Sequence, residues 1–260
     1  MTSACDSIML LVSVLTMITV TRGVESSVIS SCDNKLSLQC PGPGEMIVVR
    51  EAAFTPLSAP DCRHVTSSRP VMLHNNRDIL LAVIRRCNGL RDEQCMFDLH
   101  SDLPESVSWG EGRIEVSYTC ETEVLSYCGG RVSVSGEGFI SSPGYPRYYL
   151  GGRECVWSIV ADPGQRIRLE VVDLALRDTG DKCEDSVEVR EEGLTLLSMC
   201  ADLEGRADIV SSSRSLKLMM RTAPSGQSVY SQRGLLLHYN VEGCPTPGET
   251  MTHVSDSSYS

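Results

Sequence analysis

Several chemistries are missing from this sequence. Basic residues do not predominate: 23 Lys and Arg stand against 34 Asp and Glu, a net charge of −11. A phosphate polyanion would be repelled on average, which sets nucleic acid aside as a partner. Aromatic residues are few, at 5% of the chain. No CxxC pair and no Cys/His cluster at zinc spacing occurs, which argues against a structural metal site. No HExxH, GxSxG or phosphate-loop motif is present, and His occurs only at 64, 74, 100, 238 and 253, so the common hydrolase and nucleotide-binding signatures are absent. Asn34, Asn75, Asn76, Asn88 and Asn240 all fail the N-glycosylation pattern. No run of about 18 apolar residues exists, so no membrane-spanning helix is expected in the chain as given.

What is present is cysteine. Twelve occur in 260 residues, alongside ordinary globular proportions of apolar (41%) and charged (22%) residues. Dispersed Cys of this kind point to disulfides and an oxidising compartment. The route there is the apolar run Ile8–Val20, flanked by polar residues and too short to span a bilayer, which reads as a secretory signal peptide over residues 1–23. Its removal takes Cys5 and leaves an odd number, eleven. After a Ser-rich lead, Glu25 to Ser31, two cysteine-framed blocks follow: six Cys from Cys32 to Cys120 and four from Cys128 to Cys200. Only Glu121 to Tyr127 separate them, too short for a swinging linker, so two domains in near-contact are expected. The Pro-, Ser- and Thr-rich residues 243–260 read as a disordered tail.

Local patterns are mostly those of strands. In Arg113–Cys120, Ile114, Val116, Tyr118 and Cys120 share one face, as a half-buried strand requires. Leu36–Cys40, Ile167–Val171 and Leu216–Leu218 behave likewise. One stretch has helical period: Leu80, Val83, Ile84 and Cys87, with Arg85 and Arg86 in the last turn and Asn88-Gly89 as a left-handed stop. The fold class expected is mainly β, in two disulfide-stapled domains with one helix in the first.

The second block resembles a CUB domain over residues 128–242. The resemblance is carried by CGG (Cys128–Gly130), SSPGYPRYY (Ser141–Tyr149), Cys155-Val-Trp157, the IRLEV strand and the Cys183 and Cys200 pair. Four cysteines alone allow three connectivities. The resemblance implies Cys128 with Cys155, Cys183 with Cys200, a β-sandwich fold and Trp157 as a core residue. The first block, residues 31–121, resembles the sea-urchin-egg-lectin (SUEL), or rhamnose/galactose-binding lectin, domain. Its matching residues are Cys32…LSLQC, EMIVVREAAF, the helix ending at Cys87, the Cys87 to Cys95 step and IEVSYTC. This resemblance implies a lectin-like β-sandwich with one helix, bridged Cys32 to Cys62, Cys40 to Cys120 and Cys87 to Cys95. The family's fourth pair is missing as a pair.

The sites these families carry are eroded. The lectin motif ANYGR falls on Ala52-Ala53-Phe54-Thr55-Pro56, without the Asn, the Tyr hydroxyl or the Arg. The DPCxGTxKY motif falls on Glu105 to Arg113, without the Lys. Phe54, Trp109 and Glu111 remain as candidate sugar contacts. Many CUB domains hold calcium with three carboxylates from two loops. Here Asp185 matches one ligand, the family Glu falls on Arg177 with Asp178 adjacent, and the third falls on Thr222-Ala223. Asp178 and Asp185 are therefore candidate ligands of a weak calcium site, a tight one is not expected, and no other cofactor is implied. Seven carboxylates between Asp178 and Glu192 (178, 181, 184, 185, 188, 191, 192) form either a solvated loop and edge strand or a docking face for a basic ligand. Cys244 is a candidate intermolecular thiol, making a covalent homodimer or bridging to residues beyond the chain.

These observations lead to a secreted or cell-surface, non-enzymatic interaction protein acting in adhesion, matrix contact or receptor assembly. The expected partners are extracellular proteins, with cell-surface glycans as further candidates. Two alternatives stand beside it: a carbohydrate-binding lectin of galactose or rhamnose type, and the ectodomain fragment of a membrane co-receptor.

Overall fold

The computed structural model describes residues 26–56, 76–178, 180–202, 207–224 and 229–243. The segment expected to be a signal peptide, Cys62, Cys244 and the residues beyond Gly243 lie outside these residues. Among the described residues the chain is mainly β, disulfide-bonded, and builds a two-sheet sandwich from its second block.

In the first block, strands β1 (Ser27–Ser31), β5 (Gly112–Glu121) and β3 (Met46–Pro56) form an antiparallel sheet with β5 in the middle. The alternation in β5 buries Ile114, Val116 and Tyr118 on one face. β2 (Lys35–Leu38) and β4 (Cys95–Asp98) make a separate pair. Helix α1 (Asn76–Cys87) packs against β3, with Ile79, Ala82, Val83, Ile84 and Cys87 buried. Leu80 sits at the edge of that face, and Ile79 takes the central place. Beyond the helix, Gly89 adopts φ +82°, and Asn88 accepts a hydrogen bond from Val49 N–H (2.6 Å), so the turn splices onto β3. The Ser-rich lead is strand β1, hydrogen-bonded along β5, so the block starts before residue 31. The block also holds more than one helix: α2 (Leu99–Asp102), capped by Asp98, and a 3-10 segment, Pro104–Trp109, follow β4. Cys40–Cys120 and Cys87–Cys95 are bridged, and Cys32 is disulfide-bonded.

The second block contains β6 (Val124–Leu125), β7 (Gly130–Val134), β8 (Glu137–Ser141), β9 (Tyr149–Leu150), β10 (Glu154–Ala161), β11 (Gln165–Ala175), β12 (Ser186–Glu191), β13 (Leu194–Cys200), β14 (Ala207–Val210), β15 (Ser215–Arg221), β16 (Val229–Tyr230) and β17 (Gly234–Gly243). They form two five-stranded sheets, ordered β13-β12-β15-β10-β7 and β14-β11-β17-β8-β6, plus the pair β16-β9. β17 runs through Gly243, one residue past the boundary expected at 242. The Glu192-Gly193 turn joins β12 to β13 with both residues at positive φ (47° and 90°), the geometry a two-residue hairpin needs. Between the sheets lie Trp157, Ile159, Ile167, Leu169, Val187, Leu218 and Leu237, none more than 1% exposed. Disulfides join Cys128 to Cys155 and Cys183 to Cys200.

The two blocks share a third apolar cluster. Met46, Val48, Phe139, Val172 and Leu236 are all at most 8% exposed and pack together. This explains the run Met46-Ile-Val-Val49 in β3: Ile47 and Val49 face the first core while Met46 and Val48 face the second block. Arg50 lies 5.4 Å from the centroid of the Phe139 ring. The backbone at Gly89 lies so close to Tyr145 and Pro146 that a Cβ there would sit 2.5 Å from the Tyr145 ring. Ion pairs Arg147–Glu93 (2.6 Å) and Arg85–Asp202 (3.8 Å) flank the seam and, being exposed, add little. The short connector takes part as well, since β6 pairs in parallel with β8.

Candidate functional site

One end of the sandwich gathers the positions that a calcium-binding relative would use. Arg177 follows β11, Asp185 precedes β12, Ala223 follows β15, and Tyr149 and Tyr230 come from the small β9–β16 pair. Disulfide Cys183–Cys200 ties the loop between Arg177 and Asp185 to the end of β13. Asp185 is 0% exposed and fully used. Its Oδ1 accepts from Ala223 N–H (2.7 Å) and Arg177 Nη2 (3.2 Å), and its Oδ2 accepts from Tyr149 Oη–H (2.5 Å) and Arg177 Nε (3.3 Å). Tyr149 Oη in turn accepts from Arg177 N–H (2.9 Å). Burial, and then the bond to Asp185, pushes the Tyr149 hydroxyl well above the ordinary phenol range, so it stays a donor. The Arg177 guanidinium also lies 4.6 Å from the Tyr230 ring centroid and 3.6 Å from Glu184.

This arrangement does not fit a calcium ion. Calcium needs 6 to 8 oxygens and several negative charges. Here a guanidinium occupies the buried carboxylate of Asp185, and Ala223 offers a donor where a ligand would need to be an acceptor. Asp178, the other candidate, is exposed and accepts from Gly180 N–H (2.8 Å), and no hydrogen bond links it to Asp185. Among the described residues the only three-residue set of metal-ligating side chains within reach of one another is Cys40, Glu45 and Cys120, and its two sulfurs are joined in a disulfide.

The acidic run is not one face. Asp185 is buried, Glu188 pairs with Arg190 (2.6 Å), and Glu191, 7% exposed, bonds Ser212 N–H (3.0 Å), Ser212 Oγ–H (2.9 Å) and Ser213 N–H (2.6 Å). Asp178, Glu184 and Glu192 remain exposed. Burial pushes the Glu191 carboxyl up, but the bonds from Ser213 and Ser212 outweigh it and hold it below the usual range. A depressed folded value means that its stabilisation is complete above the ordinary glutamate value, about 4.3, and is lost as pH falls through the lower folded value. Glu191→Ala should cost about 1–3 kcal/mol at neutral pH by leaving three donors unpaired. In urea titrations the gap between variant and wild type should shrink on acidification below that range, and a gap that stays constant would contradict this role.

The candidate sugar contacts are in the first block. Phe54 is 3% exposed, tilted against Trp109 with centroids 5.5 Å apart, and its ring covers Gly112. Phe54 is therefore a core side chain with no face free for a pyranose. Trp109 is half-buried over it, and Glu111 is exposed. A Ser–His contact among the described residues of this block is also structural. Ser106 is 0% exposed, and its hydroxyl lies 3.0 Å from Leu99 C=O and 2.9 Å from His100 Nδ1, while His100 Nε2 lies 3.0 Å from the Asn34 side-chain amide.

Where the blocks meet, Asp173, 2% exposed, accepts from Tyr145 Oη–H (2.8 Å) and from Arg233 through Nε (2.9 Å) and Nη2 (2.6 Å). Burial and the Asp173 charge push the Tyr145 hydroxyl well above the ordinary range. A cavity of about 230 Å³ beside this network is lined by Arg50, Leu80, Ile84, Glu170, Asp173 and Arg233. Its best-placed charges are already paired: Arg233 with Asp173, and Arg50 with Glu121 (3.2 Å).

Residues 128 onward thus define a disulfide-bridged two-sheet sandwich whose polar groups serve its own loops. Residues 128–232 match the CUB domain family. It is similar to human cubilin, 42% identical over 78 residues that cover 30% of this chain and 2% of cubilin. It is also similar to the zinc metalloproteinase dpy-31 of Haemonchus contortus, 41% identical over 78 residues that cover 27% of this chain and 14% of that protein, through the CUB region. The chain therefore spans only a small part of these relatives. Among solved structures, the MASP-1 CUB2 domain bound to Ca2+ is matched with a TM-score of 0.38 and 23% identity, covering 44% of this chain and 99% of that one.

Proposed function

We propose that the protein is an extracellular, non-enzymatic interaction protein whose CUB domain is the recognition module, in adhesion, matrix contact or receptor assembly. The observation that carries this is the CUB match over residues 128–232. It is supported by the internal use of the groups that chemistry would need: Asp185, Asp173, Ser106 and His100 all spend their hydrogen bonds inside the protein. The first block is a SUEL-type lectin-like domain in this reading, supported by its helix-on-sheet layout and its Cys40–Cys120 and Cys87–Cys95 bridges. Its buried Phe54 favours protein over sugar as the ligand. Residues 1–23 direct secretion, and Cys244 makes an intermolecular bridge. Among the described residues no helix is long and apolar enough to cross a membrane.

Purified secreted protein should bind saturably to a cell line that carries its partner. That binding should disappear when surface proteins are removed by protease, and it should be indifferent to free galactose or rhamnose and to Trp109→Ala. Release by either sugar, with loss in Trp109→Ala, would replace this reading with that of a lectin.

A further inference from the structure

The loop end of the sandwich poses a question of its own: what holds its segments together when the residues there do not suit calcium? Asp185 is a carboxylate with no exposure, in a position where an unpaired charge is costly. The counter-charge comes from within the chain. Arg177 meets it with two guanidinium nitrogens at 3.2 and 3.3 Å, and the same guanidinium covers the Tyr230 ring and reaches Glu184. Tyr149 and Ala223 complete the shell from two further segments.

We propose that Arg177 is a built-in cation that orders this loop cluster in place of a bound metal ion. The domain then keeps its loop end in one conformation whatever the free calcium concentration, and any partner that binds there does so without calcium. A guanidinium suits this role because it is always charged and its planar fork matches a carboxylate with two parallel bonds. It differs from an ion in being covalently attached, so no chelator can remove it.

The test uses the secreted full chain. For wild type, the melting temperature should be the same in EDTA and in millimolar calcium, and terbium should give no luminescence sensitised by Tyr149 or Tyr230. Arg177→Met should melt lower by about 4 °C or more and be equally indifferent to calcium. Restoring carboxylates with Arg177→Glu and Ala223→Asp together should make the protein calcium-dependent: weakened in EDTA, raised by about 4 °C or more in calcium, and terbium-positive. A calcium-dependent rise in wild type would overturn the proposal, as would an Arg177→Met variant that melts like wild type. A double variant that is folded yet unresponsive to calcium would overturn the equivalence of guanidinium and ion. The wild-type and Arg177→Met measurements stand even if the double variant does not fold.

Discussion

Asp173→Ala is expected to lower the free energy of unfolding by about 3–5 kcal/mol, read by urea or guanidinium titration. Asp173 is 2% exposed and takes three hydrogen bonds, two of them from Arg233. Its removal strands a largely buried guanidinium and the Tyr145 hydroxyl together at the seam. The loss belongs mostly to the orphaned charge rather than to the pair. Asp173→Leu combined with Arg233→Met should therefore recover most of it, because replacing both partners with apolar groups removes the desolvation cost as well. A single variant within about 1 kcal/mol of wild type would show that the network contributes little.

A loss of similar size is expected from Trp157→Ala, about 3–5 kcal/mol. Trp157 is 0% exposed on β10, between β15 and β7, two residues from the Cys128–Cys155 bridge. Its indole N–H donates to Tyr127 C=O (3.0 Å), so truncation opens a cavity and leaves a carbonyl unpaired where the two blocks join. Trp157→Phe should fill most of the volume and lose mainly the hydrogen bond, about 1 kcal/mol. Far-ultraviolet circular dichroism follows both variants without relying on the indole as a probe. Equal losses in the two variants would place the hydrogen bond, not the volume, as the main contribution.

How much of the fold is legible in the sequence depends on which interaction sets each element. β5 is legible because one face is buried and the other is not, which writes an alternation into Arg113–Cys120. Helix α1 is legible from its period, although Ile79 rather than Leu80 is central, because the face turned to β3 is fixed by tertiary packing. β1 escapes a pattern reading because an edge strand such as Ser27–Ser31 is held by backbone hydrogen bonds and needs no apolar signature. The seam has one local trace, the unbroken apolar run at Met46–Val49. Its partners Phe139, Val172 and Leu236 come from three separate strands that only the folded sheet brings together. At the loop end, aligning the sequence with the family pattern puts Arg177 and Asp185 at ligand positions. The 3.2 Å contact that makes them each other's partner depends on the closure of the whole sandwich.

Strand β6 gives the connector between the blocks a mechanical meaning. Val124 and Leu125 lie in parallel register with Phe139 and Ile140 in the sheet whose outer face forms the seam, so a pull on one block passes into the other through backbone rather than through a swivel. A contact on the first block and a contact on the second are then a fixed span apart, like the two jaws of a caliper. Bivalent attachment to a cell surface would gain avidity only from receptors that match that span. Receptors set wider or narrower would be gripped by one jaw at a time.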